Sequence, residues 1–265
     1  MSFVCCVGYS NIDLIYSGLD RLPDKGEEIF ARGFSMQFGG GIPATMINLS
    51  RLGVESRIIT FAGHDLFSEF VKKTLNSYPV KTVNLYKGNK MPVVLSSTLL
   101  YCGDRSFISY TDGMDLNDAV MDEVYENLKG AYVVDMHVGF LDVYKRLKKN
   151  GCIQIFDTGW EDDLTLEKYR DYLEIADYYI PNQKEAMKIT ETSSVEAAAD
   201  VLSEFFSDVT IKMDKEGCLL KNKDGIKIIS SVQNVKAIDA TGAGDAFMSG
   251  FIYGLYHHHP TEQCI

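Results

Sequence analysis

The chain has 265 residues, a net charge of −11 at pH 7 and a hydrophobic share of 46%, enough apolar material to bury a sizeable core as one large α/β domain or two small ones. An acidic surface repels nucleic acid and anionic membrane, so an anionic ligand has to be held by backbone N–H groups and a few Lys or Arg side chains. This excludes nucleic-acid and membrane partners and directs attention to a small-molecule site.

From the N-terminus, FVCCVG reads as a strand, PATMINLSRLG as a helix and SRIITFAG as a second strand. The order continues with helix DLFSEFVKKTLNSY, strand AYVVDM, helix LDVYKRLKKNG, strand CIQIFD, helix LEKYRDYLEIA, strand DYYIPN, helices around 184 to 206 and strand DVTIKM. Strands alternating with helices predict a mostly parallel sheet covered by helices. GCLLKN and GIKIIS, joined through the turn-forming KDG, predict an antiparallel edge.

Two stretches interrupt the alternation with period-2 character, at about 15–38 and 90–112. They read as ordinary surface hairpins or, more pointedly, as hairpins folding together into a small β lid over the carboxyl ends of the strands, where open α/β sheets bind ligands. With no repeat or flexible linker, residues 1–265 are expected to form a single domain. PTEQCI starts a helix after Pro260 that stops within one turn, as though further C-terminal helices were missing.

No run approaches the roughly 18 apolar residues that cross a bilayer, and the first residues carry no basic leader, which predicts a cytoplasmic protein. Cys5, Cys6, Cys102, Cys152, Cys218 and Cys264 form no CxxC pair and read as free, mostly buried thiols. His257, His258 and His259 point in different directions and have no nearby Cys or carboxylate partner, so they are not expected to hold a metal.

The chemistry concentrates in DATGAGDAFMSGF, which leaves a strand and enters a helix near Ala243. The free N–H groups of Gly242, Ala243 and Gly244 would converge at the helix N-terminus as an anion hole, with glycine removing the side chains that would block a phosphoryl group. Asp245, in the first turn, would reach an incoming hydroxyl as a base. An N-capping aspartate beside a Gly-rich turn accounts for the same letters without catalysis.

This stretch resembles the D-T-x-G-A-G-D-x-F signature of the PfkB (ribokinase-like) family of carbohydrate and nucleoside kinases. The resemblance implies a three-layer αβα fold with a small β lid, Asp245 as catalytic base, and Asp239 in a site for a monovalent cation such as K⁺, although Ala240 stands where Thr is usual. FGGGIPATMINLSRLG is similar to the family's N-terminal signature and implies sugar contacts from Gly39 and Gly40; Asp13 resembles the carboxylate that accepts sugar hydroxyls. Gly63 and Asp65 resemble a structural element, and Asp157 resembles a residue of the active-site cleft.

PNQKEA resembles the element that holds Mg²⁺ through water, implying that role for Asn182 and Glu185, whose spacing equally forms a plain capping box. KMDKEG resembles the nucleotide-binding stretch, implying Lys212 and Gly217 at ATP, and a solvated strand-end lysine is the alternative.

The departures shape the expectation. Ala44 replaces a usual sugar-binding Asn, for which Asn48 one turn later would substitute; Gly41 replaces a frequent Lys, which argues against a phosphorylated sugar; Asp214 replaces a glycine near the phosphates. Arg105 in the lid would meet a charged group or stand exposed. The expected activity is phosphoryl transfer from MgATP to a hydroxyl of a small unphosphorylated sugar or derivative, with a homodimer through the lid as the family's possible partner arrangement. A nucleoside or fructosamine kinase, with Phe34, Met36 and Phe107 covering the aglycone, and a catalytically silent carbohydrate sensor are the alternatives.

Overall fold

The computed structural model describes residues 2–39, 41–102, 104–232 and 242–265. In chain order these form β1 (Val4–Val7), β2 (Asn11–Leu19), β3 (Gly33–Phe38), α1 (Ile42–Arg51), β4 (Ser56–Thr60), α2 (Leu66–Asn76), β5 (Lys81–Asn84), β6 (Val94–Tyr101), β7 (Asp104–Tyr110), α3 (Asp118–Leu128), β8 (Val133–Met136), α4 (Leu141–Lys149), β9 (Ile153–Phe156), α5 (Leu166–Ile175), β10 (Tyr178–Tyr179), α6 (Gln183–Ile189), α7 (Val195–Leu202), β11 (Val209–Lys212), β12 (Cys218–Asn222), β13 (Gly225–Ile229), α8 (Ala243–Tyr256) and α9 (Thr261–Cys264).

The central sheet runs β10-β9-β8-β1-β4-β5 with every neighbouring pair parallel. Its middle strand is apolar and buried at all four residues, VCCV, as a strand covered on both faces requires. Alternate side chains feed two cores: Cys5 and Val7 pack with Phe61, Phe140 and Tyr144, while Val4 and Cys6 pack with Met46, Leu49, Phe251 and Ile252. Helices α1 and α8 therefore share one face, and α3, α4 and α5 lie on the other. Met248, Phe251, Ile252 and Leu255 form the buried stripe of α8 at helical spacing, each such side chain contributing about 1.5–3 kcal/mol on burial. This stripe fixes where the N-terminus of α8 points.

Beyond β10 the sheet continues irregularly. The Lys212 N–H donates to the Pro181 carbonyl at 2.9 Å, and Asn182 bridges Lys212 in parallel register, which attaches the antiparallel β11-β12-β13 hairpins to that edge.

The interrupted stretches form a four-stranded sheet, β3-β2-β6-β7. Each hairpin is antiparallel, but the two join through a parallel β2–β6 pair, and β2 begins at Asn11, earlier than the hairpin at about 15 anticipated from composition. Strand β5 and helix α3 are further elements that the apolar pattern does not announce: β5 is four residues with none buried, and α3 buries only Val124 and Leu128.

Five cysteines are buried and free, and Cys102 is exposed. No helix of the described residues is long and apolar enough to cross a membrane.

Candidate active site

The carboxyl ends of β8 and β9, the turn into α1 and the N-terminus of α8 enclose a cavity of about 260 Å³ whose walls include Asp135, Asp157, Asp245, Gly41, Thr45 and His137. Parallel register sets Met136 beside Phe156, so Asp157 follows one step past the end of β9 and emerges beside the acid of β8. Ligand groups at strand ends are the ordinary outcome in such a sheet.

Helix α8 opens on Gly242 in the left-handed region, φ 78°, with no side chain capping it. The first amides of a helix have no partner within it and carry the positive end of its dipole. A Cβ on Gly242 would meet only Asp245 Oδ2, at 3.8 Å, and one on Gly244 only Lys212 Nζ, at 3.8 Å. Among the described residues nothing else comes within 4 Å of either point, so these two glycines leave room beside the start of α8.

Asp245 lies in that first turn, partly buried, and its Oδ1 accepts from the Gly41 N–H at 3.1 Å. Gly41 has a φ of 86° and no atom within 4 Å of a Cβ placed on it; the left-handed backbone explains why glycine serves here. Burial raises the Asp245 pKa above the usual carboxylate range, the Gly41 amide opposes it, the Asp157 charge adds to it and Lys212 opposes it.

Lys212 donates to Asp157 Oδ2 at 2.9 Å, with side chains 14% and 30% exposed, so it is not a solvated strand-end lysine. The second Asp157 oxygen, Oδ1, is buried with no partner among the described residues. Asn182 and Glu185 form a complete capping box at the start of α6: Asn182 Oδ1 accepts from the Lys184 and Glu185 amides, and Glu185 Oε2 accepts from the Asn182 amide at 2.8 Å. Burial raises the Glu185 pKa, followed by the Asp157 charge, against the Asn182 amide and Lys212. Asn182 and Glu185 thus border the same charged group of Asp157 and Lys212.

Other candidates fall elsewhere. Asn48 sits in the α1–α8 contact, where its amide donates to Ser249 Oγ at 3.3 Å; the stripe of α8 covers that helix face, so Asn48 does not line the cavity in place of Ala44. Asp13 lies within β2 of the small sheet, paired in register with Gln37 and Ser96. Burial raises its pKa while the Arg105 charge lowers it. Arg105 stands on β7 with its guanidinium 5.5 Å from the Phe107 ring centroid. Neither lines the 260 Å³ cavity.

Gly39 donates to Asn11 O at 2.7 Å, and a Cβ there would meet Asn11 Cβ at 2.6 Å, so close strand approach already demands glycine. Gly217 packs against β13, where a Cβ would fall 2.0 Å from the Ile229 carbonyl oxygen. Asp214 adopts φ 51° and accepts from Gln183 Nε2 at 3.0 Å. Its left-handed backbone accounts for a glycine being common at such a position. Phe34 and Phe107 are exposed, while Met36 packs on the core. Gly40, Asp239 and Thr241 lie outside the described residues.

Sequence reasoning did not select Thr45, Asp135 or His137, and noted Gly41 only as the absence of a lysine. Asp135 is 4% exposed; burial, then the charges of Asp157 and Asp245, push its pKa up to about 8, against a Thr45 hydrogen bond and Lys212. The available signal was a carboxylate inside the otherwise apolar strand AYVVDM, because buried acids are rare unless a site needs them. Burial lowers the His137 pKa, which keeps its ring neutral near pH 7.

A parallel sheet between helix layers, an antiparallel side sheet and an acid in a glycine turn at a helix N-terminus define a carbohydrate kinase of the ribokinase fold. The chain belongs to the pfkB family of carbohydrate kinases, whose model matches residues 1–265. It is 23% identical over 261 residues to a ribokinase of Lactococcus lactis, covering 96% of this chain and 84% of that one. It is 20% identical over 266 residues to a nucleoside kinase of Methanocaldococcus jannaschii, covering 100% and 87%. The structure of Arabidopsis thaliana ribokinase complexed with ribose and ATP superposes with a TM-score of 0.83 at 22% identity, over 100% of this chain and 89% of that one.

Proposed function

We propose that this carbohydrate kinase uses ATP to phosphorylate a hydroxyl of a small unphosphorylated sugar or sugar derivative, with Asp245 as the base. The observation that carries the reading is that Asp245 lines the cavity at the strand ends from the first turn of a helix whose N-terminus no side chain caps. The acceptor hydroxyl gives its proton to Asp245 while its oxygen bonds the γ-phosphorus; the bond from that phosphorus to the β–γ bridging oxygen breaks, and ADP leaves. The amides meet the charge spread over the transferred group, where preorganised donors are most effective. The raised Asp245 pKa makes it a stronger base than an exposed carboxylate.

The donor set fits the divalent ion such kinases use. Glu185 keeps one carboxylate oxygen beyond the capping bond, and Asp157 Oδ1 has no partner among the described residues. Mg²⁺ held there through water would offset triphosphate charge. Among the described residues the cavity walls include no Lys or Arg, which favours an acceptor without a phosphate of its own.

A coupled ADP-release assay over pentoses, hexoses, fructosamines and nucleosides tests the reading. Turnover with a free sugar or fructosamine well above the sugar-free rate is expected. Turnover with nucleosides alone would replace the substrate class, and no ADP formation with any acceptor that binds would make the protein a sensor.

A further inference from the structure

Lys212 and Asp157 come from strands that are not neighbours: β9 precedes Asp157, β11 ends at Lys212, and β10 lies between them. Their ion pair is mostly removed from water, and burying such a pair rarely stabilises a fold on balance. The ammonium is also placed where a helix repels it. Lys212 Nζ lies 3.8 Å from the point where a Gly244 side chain would begin, against the positive end of α8, which favours anions and disfavours cations. Two positive features side by side, with one carboxylate tying the ammonium in place, make sense if a third, anionic group comes between them.

We propose that Asp157 is a positioning residue: it holds the Lys212 ammonium beside the α8 amides, ready for the transferred phosphoryl group, so that two opposite charges stand at the cavity that Asp245 lines. This rests on the kinase reading above. Among the described residues, the titratable or charged groups around Asp245 are Asp135 at the end of β8, Asp157 after β9, Glu185 on α6, Lys212 on β11, and His137 and Tyr9 on the cavity wall. Of these, Asp157 raises the Asp245 pKa and Lys212 lowers it.

The test is the pH profile of kcat/KM for the best acceptor in wild type, Asp157→Asn and Lys212→Met. The acidic limb is expected to move to lower pH in Asp157→Asn and to higher pH in Lys212→Met, each by about one pH unit, as charges of opposite sign near a partly buried carboxylate require. Loss of fold integrity alone would not drive the limb in opposite directions. A ¹³C carboxyl titration of Asp245, assigned with Asp245→Asn, gives the same comparison without turnover. Should Asp157→Asn not fold, Lys212→Met and Asp157→Glu carry the test, the latter retaining the wild-type limb. A limb at the wild-type pH in both charge-removing variants, or moving the same way in both, overturns the proposal. If Asp245→Asn keeps wild-type turnover, the kinase reading itself fails; if it is inactive and the limbs still do not part, this inference alone fails.

Discussion

Gly242 and Gly217 both occupy left-handed backbone in short turns, at φ 78° and 102°, and both belong to stretches that resemble nucleotide-handling signatures. Their surroundings are opposite. Among the described residues a Cβ on Gly242 meets only the acid of its own helix, whereas at Gly217 the β13 backbone closes to 2.0 Å from a would-be Cβ. One glycine keeps a space free, and the other lets two pieces of backbone touch. Glycine in a signature therefore marks close approach, but only the structure says whether what approaches is a ligand or the protein itself.

The sharpest way to break this contrast is to add one methyl group at each turn. Gly217→Ala is expected to lose about 3 kcal/mol or more of folding stability, from a Gly-only backbone conformation together with a backbone clash, seen as a large fall in Tm. Gly242→Ala is expected to lose only about 1 kcal/mol for a left-handed alanine, yet to lower kcat by about tenfold as the methyl intrudes on the phosphoryl path. Equal stability losses at the two positions would dissolve the distinction.

A finer probe uses Asp135, the buried acid behind the same cavity. Its folded pKa of about 8 lies above the ordinary 3.8, so the folded state holds a proton that the unfolded chain has released between those values. Its contribution to stability is full below about pH 4 and is lost as pH rises towards 8. Asp135→Asn removes that dependence. Its stability relative to wild type should grow from pH 5 to pH 8 by about 3–4 kcal/mol, measured by denaturant unfolding at each pH. A constant difference across this range would mean that Asp135 is not held protonated.

The order of the central elements was legible in the sequence because each parallel strand is a short apolar run and each covering helix carries a stripe at helical spacing. The motif around Asp245 was legible too, since its residues are consecutive. What was not legible depends on partners far along the chain. The Gly41 amide reaches Asp245 across 204 positions. Asn48 turns to Ser249 because α8 packs on that face of α1. That the strand holding Asp13 reaches back to Asn11 was not legible, because the parallel β2–β6 pairing has no local signature. Asn182 and Glu185 show the same limit, because a capping box and a metal-water site share one spacing and both oxygen sets lie at the same corner.

The most direct measurement is turnover of Asp245→Asn with the best acceptor, alongside acceptor binding by calorimetry. The account predicts a fall in kcat of at least about 10²-fold with acceptor affinity within a few-fold of wild type, as expected for losing a base that acts in the transition state. Wild-type kcat in that variant would contradict it and remove Asp245 from the chemistry.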